Sequence, residues 1–60
     1  MKQEYIDKYI DILKKDIVTK EDTEFILSTV RLSAEYDSEF IKLAEEHNRK
    51  DIVILICSDF

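Results

Sequence analysis

"DIVILICSDF", residues 51–60, is the stretch whose reading decides how this chain folds. Ile52 to Cys57 are six apolar residues in succession, most of them β-branched. Periodicity alone does not separate a buried strand from a buried helix in so short a run. A strand must pair its backbone N–H and C=O groups with a neighbour, and nothing else in the sequence reads as a second strand. The segment therefore reads as a helix over about 51–59, apolar on all sides. The strand reading survives only if a second chain supplies the pairing.

Upstream, "YDSEFIKLAEEH" places Phe40, Ile41, Leu43 and Ala44 on one face, and Glu39, Lys42, Glu45 and Glu46 on the other. This predicts a helix over about 38–47, capped by Asp37 or Ser38 and closed by Asn48 in a left-handed conformation. Before it, Phe25, Ile26, Leu27, Val30, Leu32, Ala34 and Tyr36 form a wide apolar arc. Glu24, Ser28, Arg31 and Glu35 make the narrow wet stripe. This predicts a central helix over about 20–35, with Leu27 and Val30 in the core and contacts on two sides. Thr19 with Asp22 three residues on matches a capping box in which Asp replaces Glu. At the N-terminus, Tyr5, Ile6, Tyr9, Ile10, Leu13 and Ile17 share a stripe, which predicts a helix over about 2–15. Gly and Pro are both absent. Tight hairpin turns lean on Gly, so their absence also favours helices. The expected fold is all-α, one small domain spanning 1–60, a compact bundle of three or four short helices.

"KLAEEHNRKDIVILI", residues 42–56, resembles the second half of an ankyrin repeat, with Asn48 at the turn usually held by Gly. The Thr-Pro-Leu-His lead-in of that family is missing. The resemblance implies helix–turn–helix geometry over 39–59.

Sixty residues lie near the lower limit at which a core sustains a fold unaided. The single cysteine, Cys57, permits no intrachain disulfide, and one histidine, His47, with one cysteine does not make a zinc site. Association is the remaining aid. Nine Lys and Arg against fourteen Asp and Glu give a net charge of −5. That charge disfavours direct binding to nucleic acid. No stretch approaches the roughly twenty apolar residues of a membrane span. "MKQEYIDKYI" lacks the apolar centre of a secretory leader, and with one unpaired thiol the expected compartment is the cytoplasm.

No catalytic set emerges. His47 is a helix-end histidine with no nucleophile at a motif spacing. Cys57 has no neighbouring base and reads as a small core or interface residue. Adjacent carboxylates such as Glu45 and Glu46 point about 100° apart on a helix and do not converge. No cofactor or metal motif is present, and a bundle of this size can scarcely enclose a ligand pocket. The chain is therefore expected to be no enzyme.

The expected function is protein binding: a small acidic regulator or inhibitor of a larger cytoplasmic protein, acting through an apolar helical surface. A terminal helix apolar all round cannot hide entirely in so small a core. Ile52, Ile54, Leu55, Ile56 and the terminal Phe60 are the candidate partner-binding residues, in a homodimer or a hetero-complex. The main alternative is an acidic decoy that imitates nucleic-acid phosphates through Glu35, Asp37, Glu39, Glu45 and Glu46, and so blocks a DNA- or RNA-binding protein. The ten acids after residue 20 motivate that alternative, and by analogy Lys- and Ile-rich acidic chains of this length resemble small phage proteins. A third reading is a purely structural subunit of a homo-oligomer.

Overall fold

The computed structural model describes residues 2–58; 77% of those residues are helical and none is in a strand. Four helices follow in order: α1 (Gln3–Leu13), α2 (Lys20–Val30), α3 (Ala34–Glu46) and α4 (Lys50–Ser58). The apolar run that decides the fold is helical. α2 and α3 each touch the other three helices, whereas the backbones of α1 and α4 stay apart, with no Cα pair within 8 Å. α4 is thus packed from one side only. Phe60 lies outside the described residues.

α1 buries Tyr9, Ile12 and Leu13, with Tyr5 and Ile6 half-buried along the same stripe. It ends at Leu13, two residues earlier than its pattern suggests. The reason is a competitor for its last carbonyls. Arg49 Nη1 donates to Leu13 O at 2.8 Å and to Lys15 O at 2.6 Å. Leu13 O is the acceptor that Ile17 N–H would need in a continued helix. Ile17 consequently leaves the stripe and is 76% exposed.

The turn into α2 follows the sequence reading. Thr19 Oγ1 accepts from Asp22 N–H and Asp22 Oδ2 accepts from Thr19 N–H, both at 3.1 Å, a reciprocal capping box. Lys15 adds an ion pair to Asp22. The hydrogen bond from Lys15, and after it those from Thr19, hold the Asp22 carboxyl below its ordinary range.

The second and third helices divide elsewhere than expected. α2 stops at Val30, and Ser33, extended at φ −165° and ψ 159°, occupies the N-cap position of α3 in place of Asp37 or Ser38. Ser33 contributes no side-chain cap bond; its carbonyl accepts Asp37 N–H at 3.4 Å. Beginning α3 at Ala34 puts Tyr36, Phe40 and Ala44 on one line, four residues apart, and all three are buried. It also sets Glu35 and Asp37 near the helix N-terminus, where negative charge is favoured. The arc expected of one long helix therefore splits. Leu32 is 63% exposed in the connection, Ala34 is exposed, and Leu27 is half-buried rather than core. Ile26 and Val30 are core, and buried Thr29 satisfies its hydroxyl on Phe25 O at 2.7 Å.

Aromatic side chains lock α1 to α3. The rings of Tyr9 and Phe40 stack at 3.7 Å with an interplanar angle of 1°, and Tyr9 Oη donates to Phe40 O at 2.6 Å. Tyr36 meets Phe40 and Tyr5 edge-on, and Tyr5 meets Phe25 in the same way. Such pairs add about 0.5–1.5 kcal/mol each beyond the area they bury. Tyr9 is fully buried, and burial drives its phenol well above the ordinary tyrosine range.

Candidate functional site

The α3–α4 corner is built by a tight cap. Asn48 has φ 57°, the left-handed conformation expected of it. Arg49 N–H donates to Ala44 O at 2.8 Å and Asn48 N–H to Glu45 O at 3.1 Å, which together form a Schellman motif. The chain reverses in three residues, as the helix–turn–helix resemblance implies. Arg49 O then accepts Ile52 N–H and Val53 N–H and so opens α4.

The Arg49 side chain fixes the corner to the rest of the bundle. Besides the two carbonyls at the end of α1, its guanidinium makes a paired contact with Asp51, Nε to Oδ1 at 3.1 Å and Nη2 to Oδ2 at 3.0 Å. Each partner stabilises the other's charge. The Asp51 carboxyl is held below its ordinary range, chiefly by the Arg49 hydrogen bonds, and Arg49 is held above its own. The residue was not singled out by the sequence reading. Its signal is an arginine directly after a left-handed cap residue, two positions before an aspartate.

α4 presents two unlike faces. Ile52 and Ile56, four residues apart, are 2% and 0% exposed and belong to the core with Phe40 and Ala44. They are unavailable to a partner, which corrects their expected role. Leu55 and Val53 are half-buried at the flanks. The outer face carries Lys50, Asp51, Ile54, Cys57 and Ser58, all exposed, with Ile54 at 64%. The helix is therefore not apolar all round: its first turn and its last residue supply polar groups to the outer arc. Cys57, expected to be a small core or interface residue, sits on that arc as a free, exposed thiol.

Beside Ile54 the surface forms an open concavity of about 490 Å³, lined by Glu45, Asn48, Lys50, Val53 and Ile54. Its apolar part comes from α4 and its acid from α3. The volume lies on the surface and is not an enclosed chamber. Among the described residues no group of His, Cys, Asp and Glu side chains is disposed to hold a metal ion. His47 Nδ1 lies 2.9 Å from Leu43 O in its own helix.

The acidic residues of α3 do not form one surface. Glu35, Glu39 and Glu46 follow a single line down the helix, but Lys42 falls on the same line. Glu45 faces the concavity instead. Asp37 turns to the opposite side, where its Oδ1 is buried without a hydrogen-bond partner. No helix of the described residues is long and apolar enough to cross a membrane. No known protein family, curated protein or solved structure matches the chain.

Proposed function

We propose that the chain is a small acidic protein-binding module that regulates or inhibits a larger cytoplasmic protein through the outer face of α4. The observation that carries this reading is Ile54. It is a large aliphatic side chain left 64% exposed on a helix whose inner face is fully packed, next to a concavity with an apolar floor. Covering such a side chain contributes about 1–2 kcal/mol. A rigid helix held by Arg49 and the Asn48 cap offers it with little ordering cost. We assign the protein no catalytic role. The acidic-decoy alternative has less support, because Lys42 interrupts the carboxylate line and half-buried Asp37 has one carboxylate oxygen out of reach of a partner.

The test is a photo-crosslinking amino acid placed at position 54, or at exposed Ser28 on α2 as control, in the cell that makes the protein. A discrete adduct is expected from position 54 only. Ile54→Glu, which alters no core contact, should abolish co-purification of the adduct's protein while leaving the circular dichroism unchanged. Equal crosslinking from both positions would refute the reading.

A further inference from the structure

The rim of the concavity carries one acid and one base. Glu45 comes from α3 and Lys50 from the start of α4, and Val53 and Ile54 supply the apolar floor. Neither charge is in an ion pair among the described residues. The neighbouring cation is already engaged, since Arg49 is spent on Asp51 and on two carbonyls of the α1 end. An acidic partner would oppose Glu45 and a basic one would oppose Lys50. A surface with an apolar centre and one charge of each sign is complementary to itself. That is what an isologous twofold contact requires, since residue i meets residue j while j meets i.

Building on the reading that this face binds protein, we propose that a second copy of this chain covers it whenever the larger partner is absent. In the twofold dimer the Ile54 and Val53 side chains of both copies meet, and Glu45 of each copy pairs with Lys50 of the other. The association is weak. Each copy carries a net charge of −5, so the two repel at long range. α4 has nine residues and is only about 13 Å long, so the patch falls short of the roughly 800 Å² per partner of a standard interface. A dissociation constant on the order of 0.1–1 mM follows from so small a contact.

Sedimentation equilibrium on the full chain, at concentrations up to about 1 mM, tests this. The wild-type mass should rise toward twice the monomer. Glu45→Lys and Lys50→Glu should each weaken self-association about tenfold or more, because each places like charges at both contacts. An equimolar mixture of the two variants should associate again, since the unlike chains restore opposite charges at both contacts. The double variant E45K/K50E should do the same alone. Circular dichroism and urea midpoints report whether each variant is folded. The proposal is overturned if wild-type protein stays monomeric, if either single variant associates like wild type, or if the mixture associates no better than its components. Should the dimer fail while Ile54→Glu still abolishes crosslinking to another protein, the partner is a different chain and the protein-binding reading stands. Should Ile54→Glu leave crosslinking intact, that reading falls as well.

Discussion

Replacing Tyr9 by Phe should have a cost that reverses with pH. The substitution keeps the ring that stacks on Phe40 at 3.7 Å and removes only the hydroxyl that donates to Phe40 O at 2.6 Å. That carbonyl lies inside α3 and keeps its helical acceptor role, so the loss at pH 8 is about 1 kcal/mol, the net value of one neutral hydrogen bond. Alkali reverses the balance. Burial raises the Tyr9 phenol in the folded protein above the roughly 10 of the unfolded chain. The folded state therefore binds the proton more tightly. The linked stability is fully present below about pH 10 and is lost as pH rises through the window above it. Each pH unit in that window withdraws about 1.4 kcal/mol from wild type and nothing from Tyr9→Phe. The two proteins should be equally stable near about pH 11, with the variant ahead beyond it. Urea denaturation followed by circular dichroism from neutral to alkaline pH measures the difference, and lysine titration is common to both chains. A penalty for Tyr9→Phe that stays constant across that range would refute the assignment of Tyr9 as a buried, neutral donor.

Further outcomes follow from the same packing. Ile26→Ala should cost about 2–5 kcal/mol, and half-buried Leu27→Ala roughly half of that; equal shifts in the urea midpoint would show that α2 is turned differently. Asn48→Gly should be neutral or slightly stabilising, whereas Asn48→Val should cost about 1–2 kcal/mol by forcing a β-branched residue to φ 57°. Asp22→Asn should be less stable than wild type near neutrality. The Asp22 carboxyl is depressed in the fold, so its contribution is present above about pH 4 and lost as pH falls through its lower folded value; the gap between the two proteins should close in strong acid.

Local chemistry was readable where one residue type does one job. Thr19 and Asp22 announce a capping box, and Asn48 announces a left-handed helix end, because few other residues serve at those positions. The α2–α3 division was not readable. No Gly or Pro marks the break at Arg31–Ser33, and Leu32, Ala34 and Tyr36 continue an apolar pattern across it. The break is settled by tertiary packing, since starting α3 at Ala34 aligns Tyr36, Phe40 and Ala44 against α1 and α4. The end of α1 is likewise set from 36 residues away, by a guanidinium that takes Leu13 O.

The candidate surface was legible in kind and not in extent. Six apolar residues in a row say that a helix there has more apolar side chains than a small bundle can cover, but not which of them it covers. That depends on how many neighbours the helix meets. α4 meets α2 and α3 while its backbone stays clear of α1, so a single inward line, Ile52 and Ile56, is buried, while Leu55 and Val53 close its edges. Ile54 is left outside by geometry, two residues from each inward isoleucine and so turned about 160° away. The rim of the concavity was beyond the reach of sequence, because Glu45 and Lys50 become neighbours only through the Asn48 turn. In the pattern Glu45 is one more carboxylate of an acidic helix. In the fold it is the acid set beside an exposed isoleucine and a lysine, the placement on which the proposed twofold contact rests.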